Sequence, residues 1–192
     1  MVLVLASASP RRKDLLAAAG IAFRVEPAGV AEDLEPGVAP DASAVALAIR
    51  KARAAAARLG AGPATVLGAD TVVALPDGRV LGKPADRAEA ESHLRALAGT
   101  THTVFTGVCL LDLPGGAEES FCAASRVTMR AMAEAEVRAY AASGIGLDKA
   151  GAYALQEGGD RFVTRVEGSR SNVVGLPVEE LLPRLAARGI RP

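Results

Sequence analysis

Asp70 interrupts an apolar run, Gly68-Ala69-Asp70-Thr71-Val72-Val73, and a carboxylate in such a stretch needs a cation or a metal beside it. Gly68 permits close backbone approach, so Asp70 can face a cleft as a general base or metal ligand; pairing with a structural arginine is the alternative. Lys83, in Leu81-Gly82-Lys83-Pro84, returns across a turn toward the strand that carries Asp70. It suits a phosphate contact or the positioning of the aspartate, and equally a solvated turn lysine. The segment is not a Walker A loop, because Asp77 stands where the first glycine belongs and Pro84 where Ser or Thr is required. Ser7-Ala8-Ser9-Pro10-Arg11-Arg12 joins a short strand to a helix, where N–H groups, hydroxyls and two cations can hold phosphate. The helix dipole disfavours cations there by about 0.3–1 kcal/mol, a conflict that an anionic ligand removes; the alternative is a capped helix with solvated arginines. Asp148-Lys149-Ala150-Gly151-Ala152-Tyr153 sets opposite charges, small residues and an aromatic in one loop-to-strand passage, and Gln156 follows where it can read a base edge. Ser169, Ser171 and Asn172 form a polar turn suited to N-cap chemistry.

The elements that must hold these residues follow from periodicity and punctuation. Val2 to Ala6 reads as a buried strand and Ser9 as an N-cap, with Pro10 in the first turn, Leu15, Leu16 and Ala19 as the apolar face, and Gly20 closing the helix in the left-handed conformation. Asp41 can cap an alanine-rich helix ending near Gly60, with Leu47, Lys51, Ala54 and Arg58 along one stripe. A strand from Thr65 to Leu75, a turn at Pro76-Asp77-Gly78 and a return strand at Arg79 to Leu81 come next. Asp86 and Glu89 resemble a capping box for a helix to Leu97, stopped by Gly99. Thr103 to Leu111 and Phe121 to Arg130 read as strands joined around Pro114-Gly115-Gly116, followed by a helix from Ala133 to Ala142 and a strand from Phe162 to Val166. The last helix starts near Pro177, and Pro183 should kink or divide it. The expected class is α/β with a mixed sheet, one domain over residues 1–192 with two lobes around a cleft.

Composition narrows the function. The 192 residues are half hydrophobic but include no Trp, two Tyr and four Phe, which speaks against base-stacking platforms for single-stranded nucleic acid. Lys+Arg and Asp+Glu are equal at 22 each, so no general attraction to nucleic acid or membrane is expected. Cys109 and Cys122, with His93 and His102, define neither a disulfide framework nor a zinc site, and both cysteines read as buried thiols. No apolar stretch approaches about 18 residues and no leader pattern opens the chain, so a cytoplasmic protein is expected.

Taken together the chain resembles the Maf family, nucleoside triphosphate pyrophosphatases associated with septum formation, with an inosine-triphosphatase-like α/β fold. The resemblance rests on the Ser7 to Arg12, Gly68 to Val73, Gly82-Lys83-Pro84 and Asp148 to Tyr153 segments, with His102-Thr103-Val104-Phe105-Thr106-Gly107-Val108 and Asn172-Val173-Val174-Gly175-Leu176-Pro177. They occur in family order over nearly the whole chain. The resemblance implies hydrolysis between the α and β phosphates, releasing a monophosphate and pyrophosphate, with Asp70 as proton acceptor for the attacking water and Lys83 beside it on the triphosphate. It implies a divalent cation, Mg²⁺ or Mn²⁺, held by Asp70 and by Glu32 of Gly29-Val30-Ala31-Glu32-Asp33. Ser7, Arg12 and Lys51 would hold phosphate oxygens. Arg11, Thr71 and Gln156 resemble the branch acting on dTTP and UTP rather than on 7-methyl-GTP, and an amide can both donate to and accept from a pyrimidine edge.

A homodimer, removal of modified nucleotides and a link to cell-division arrest are further implications of the resemblance. The chain departs from the family pattern at Ile145-Gly146, Glu157 and Arg170, which bears on loop geometry and substrate ranking. The competing reading is a nucleotide-binding regulator of division that does not need hydrolysis; a general base at Asp70 favours the enzyme.

Overall fold

Short apolar runs alternate with capped helices, and in the computed structural model, which describes residues 1–35, 37–60 and 62–192, they form an α/β protein. The elements in order are β1 (Val2–Leu5), α1 (Pro10–Ala18), β2 (Phe23–Val25), α2 (Pro40–Ala56), β3 (Ala64–Ala74), β4 (Val80–Leu81) and α3 (Arg87–Leu97). Then come β5 (Thr101–Leu113), β6 (Ala117–Met129), α4 (Glu134–Ala142), β7 (Val163–Glu167), α5 (Arg170–Val174) and α6 (Val178–Ala187). Among the described residues the strands form one seven-stranded mixed sheet, in the order β2-β1-β3-β5-β6-β7, with β4 paired to β3. β1 runs parallel to β2 and β3, whereas β4 is antiparallel to β3 and β7 to β6.

The chain forms two compact units, the first from Met1–Asp70, Thr106–Ala123 and Gly175–Pro192 and the second from Thr71–Phe105 and Ala124–Val174. In the first unit, strand alternation sorts the core into two clusters. Leu3, Leu5, Leu67, Ala69, Val108 and Leu110 pack against Leu16 of α1 and Leu181 and Leu185 of α6. Val4, Ala6, Val66, Cys109 and Leu111 meet Ala48, Ala52 and Ala55 of α2. Small residues let α2 lie unusually close. A methyl group on Gly68 of β3 would fall on the Ala48 carbonyl oxygen and within 2.8 Å of the Ala52 nitrogen, and one on Gly107 of β5 would fall on the Ala44 carbonyl.

Gly68→Ala and Gly107→Ala are therefore expected to lower unfolding free energy by about 1–3 kcal/mol through overpacking against backbone that cannot yield. Gly62→Ala, with nothing within 4 Å of the added carbon, should leave stability unchanged or slightly raised. Urea titrations of the three variants check this, and equal midpoints would remove the close-approach argument.

The second unit is built around Val73, Leu81, Leu94, Leu97, Val104, Val127, Met129, Val137, Tyr140 and Phe162. Asp86 caps α3 as expected, its Oδ1 accepting from the Glu89 N–H at 2.9 Å. The reciprocal bond from Glu89 goes to the Ala85 N–H rather than to Asp86.

Several elements differ from the sequence reading. α2 starts at Pro40 with Ala39 as N-cap, so Asp41 sits inside the first turn, and the helix ends at Ala56, before Arg58 and Gly60. Arg58 instead reaches across to Glu26 and the Ala28 carbonyl. α6 runs unbroken through Pro183, which is exposed while Leu181 and Leu185 are buried. The bond Pro183 cannot donate falls on the wet side of the helix, where water can substitute. Asp148 to Tyr153 does not lead into a strand; Ala150–Ala152 form a 3₁₀ turn, and the next strand is β7. Cys109 is buried but Cys122 only half-buried. Burial pushes both thiols up, Cys109 to about 12 and Cys122 to about 11, so both are neutral at ordinary pH. No described helix is long and apolar enough to cross a membrane.

Candidate active site

Alternation along β3 puts Asp70 two residues beyond Gly68, on the face that α2 covers. Lys51, between the close-packed Ala48 and Ala52 turns of α2, reaches that carboxylate: its Nζ lies 2.5 Å from Asp70 Oδ1 and 2.6 Å from Glu32 Oε1. The Lys51 and Asp70 side chains are 7% and 9% exposed, that of Glu32 38%. The cation that Asp70 requires is thus a lysine, and two carboxylates share it.

This pair of carboxylates fits a hard divalent cation, because both oxygens already converge on one compact positive centre. Among the described residues no group of three or more His, Cys, Asp or Glu side chains gathers to hold a metal. Two carboxylates completed by substrate phosphate oxygens and water are the usual ligation for Mg²⁺.

The strand-to-helix turn supplies the other cation. Ser9 occupies the N-cap of α1 without a side-chain capping bond. Its N–H donates instead to Ser7 Oγ at 3.3 Å. Arg12 Nη1 donates to the same oxygen at 3.0 Å, and Arg12 Nε to the Gly175 carbonyl at 2.8 Å. Arg12 is buried, not solvated, and burial draws its guanidinium below the usual value against the pull of Asp70 and Glu32. Arg11 beside it is half-buried. The first unit therefore brings Ser7, Arg12, Glu32, Lys51 and Asp70 into one electrostatically coupled group.

Thr71, Lys83 and Gln156 belong to the second unit. Thr71 follows Asp70 in β3 and is half-buried; Lys83 is exposed in the link from β4 to α3, and Gln156 is exposed in a turn. The carbonyl of Gly82, next to Lys83, accepts from the Gly151 N–H at 3.1 Å. Lys149 is buried, donating to the Ile145 carbonyl at 2.5 Å and to Asp148 at 2.7 Å, with Glu157 at 3.4 Å. Ile145, through its carbonyl, and Glu157, through its carboxylate, thus both contact this one ammonium. Sequence reading noted the Asp148-Lys149 charge pair but not its third partner. It also missed the bond between His102 Nε2 and the Tyr153 hydroxyl, 2.8 Å long and buried, because neither residue stands out by spacing.

Residues 2–188 match the family described as Maf-like protein. The chain is 47% identical over 188 residues to a protein of Moorella thermoacetica named dTTP/UTP pyrophosphatase, covering 98% of this chain and 95% of that one. Proteins of the same name from Myxococcus xanthus and Deinococcus radiodurans are 48% and 47% identical, covering 98% and 97% of this chain and 93% of each relative. By the extent of the family match and by these full-length relatives, the chain belongs to the Maf-like protein family.

Proposed function

We propose that the chain hydrolyses dTTP and UTP between the α and β phosphates, releasing the monophosphate and pyrophosphate, with Mg²⁺ or Mn²⁺ as cofactor. The observation that carries this reading is the Lys51 ammonium set between the Asp70 and Glu32 carboxylates, in a chain whose full-length relatives bear the name dTTP/UTP pyrophosphatase.

Asp70 takes the proton of the attacking water at a carboxylate oxygen, and Glu32 with Asp70 would hold the cation. When bound, the cation supplies positive charge to the triphosphate oxygens. Arg12, held by Ser7 and by the Gly175 carbonyl, presents a fixed guanidinium for phosphate, alongside the N–H groups at the start of α1. Lys51, whose ammonium lies between the two carboxylates, would contribute its positive charge to a phosphate oxygen of the substrate. Lys83 contacts the triphosphate, and Arg11, Thr71 and Gln156 select the base. The same reading makes the protein a cytoplasmic homodimer that also removes modified pyrimidine nucleotides and is linked to cell-division arrest. The balanced net charge supports a nucleotide rather than a nucleic acid as its partner.

Product analysis tests the reaction. Incubation with dTTP or UTP and Mg²⁺ should give equimolar monophosphate and pyrophosphate by anion-exchange chromatography. Orthophosphate with a diphosphate product would place the cleavage at the wrong bond, and tight binding without turnover would favour a nucleotide-binding regulator.

A further inference from the structure

Ala152 has a left-handed backbone, with φ of +61°, directly after Gly151 at +72°. Alanine there carries strain that persists only where the surroundings fix the chain. They do so from every side. Gly151 N–H donates to the Gly82 carbonyl at 3.1 Å and Ala152 N–H to the Lys149 carbonyl at 3.1 Å. The Ala154 N–H donates to the Tyr140 hydroxyl at 3.1 Å. A side chain on Gly146 would strike the Ala152 carbonyl, and one on Gly151 would press on Val73 and Leu97 at 3.3 Å. Between these anchors stands Tyr153, whose hydroxyl meets His102 Nε2 of β5 at 2.8 Å, with the rings edge to face at 5.5 Å.

His102 is 1% exposed, and its Nδ1 has no hydrogen-bond partner among the described residues. A buried polar atom without a protein partner calls for an explanation. The segment reaches the residue next to Lys83 through the Gly151–Gly82 bond. Gly82 precedes Lys83, and the buried Pro84 after it confines Lys83 to extended backbone. The Lys83 main chain is thereby held on both sides while its side chain stays exposed.

We infer that the buried His102–Tyr153 pair positions Lys83 for the triphosphate, acting through the strained Gly151–Ala152 turn and its hydrogen bond to the Gly82 carbonyl. The inference rests on the proposed pyrophosphatase reading. Neither His102 nor Tyr153 touches substrate; they are positioning residues. Burial supports a fixed arrangement, since it lowers the His102 imidazole to about 4 and raises the Tyr153 phenol, keeping both neutral at working pH.

The test is a double-mutant cycle on binding of an α,β-methylene analogue of dTTP with Mg²⁺, read by calorimetry, alongside turnover of dTTP. Lys83→Ala and Tyr153→Phe should each weaken the analogue about tenfold, the scale of a displaced charged contact. In the Lys83→Ala background, Tyr153→Phe should cost less than about twofold, because its effect runs through Lys83. His102→Leu/Tyr153→Phe, which removes both polar partners and leaves no orphan, should fold well and reproduce the binding loss, whereas His102→Gln should restore most of it. Equal losses in both backgrounds, or no loss on Tyr153→Phe, would overturn the positioning role while leaving the enzyme reading intact. Unchanged binding in Lys83→Ala would overturn it as well. A wild-type protein that neither binds the analogue nor releases pyrophosphate would overturn both.

Discussion

Asp70→Asn is expected to lower kcat for pyrophosphate release from dTTP by about 10²–10⁴-fold, the usual contribution of a positioned general base. The substitution is nearly isosteric and spares the framework. The asparagine carbonyl can still accept from Lys51, and Lys51 keeps Glu32 at 2.6 Å, so the buried ammonium is not orphaned. What disappears is a proton acceptor and one of the two negative charges that would hold the divalent cation. Both losses act in the same direction on turnover, whereas KM should change much less if Arg12 and the start of α1 carry most of the phosphate binding. A coupled pyrophosphate assay with thermal melting as the control for folding separates these effects. Activity within about threefold of wild type, in a variant that melts normally, would remove Asp70 from the role of base.

Much of the frame around Asp70 was legible because it is written locally. Ser9 and Pro10 mark the start of α1, and Gly20 ends it with φ of +73°; Asp86, Glu89 and Gly99 bracket α3 in the same way. An acid inside an apolar strand announced itself as a residue needing a cation. The identity of that cation did not follow from the strand. It depends on α2 descending onto β3 and β5 through the gaps at Gly68 and Gly107, a tertiary fit between residues far apart in sequence. Read alone, Lys51 is one of several polar residues on a long helix.

The misread elements have a common physical origin in context. β2 is three residues long, too short to show a period, so its identity comes from pairing with β1 rather than from its own pattern. α5 exists because Ser169 Oγ accepts the Asn172 N–H and Asn172 in turn donates to the Val104 carbonyl and Ser125, partners more than forty residues distant. β6 extends back to Ala117 through Glu118 and Glu119, whose charges obscure a strand; Glu118 is paired with Arg53, and Glu119 with Arg184 and Arg188. Pro183 shows the converse, since its penalty is moderated by the side of the helix on which it falls.

Lys51→Met should have the largest effect on stability, lowering unfolding free energy by about 3 kcal/mol, the lower end of the range for breaking a buried ion pair. The low end applies because Glu32, 38% exposed, can turn toward water, while Asp70 at 9% cannot. The variant leaves two carboxylates facing each other across an apolar methionine, with Arg12 as a further positive charge acting on both. Two consequences separate this from ordinary loss of packing. Adding Asp70→Asn to Lys51→Met should recover part of the loss, because the charge left without its ammonium is removed together with its repulsion from Glu32. Mg²⁺ or Mn²⁺ should raise the melting temperature of Lys51→Met more than that of wild type, since in wild type the cation must first displace the ammonium from the same oxygens. Calorimetric melts in chelator and in a millimolar series of each cation read both effects without any assay of turnover. Equal cation shifts in the two proteins would mean that the metal does not compete with Lys51, and would move the proposed metal away from Asp70 and Glu32.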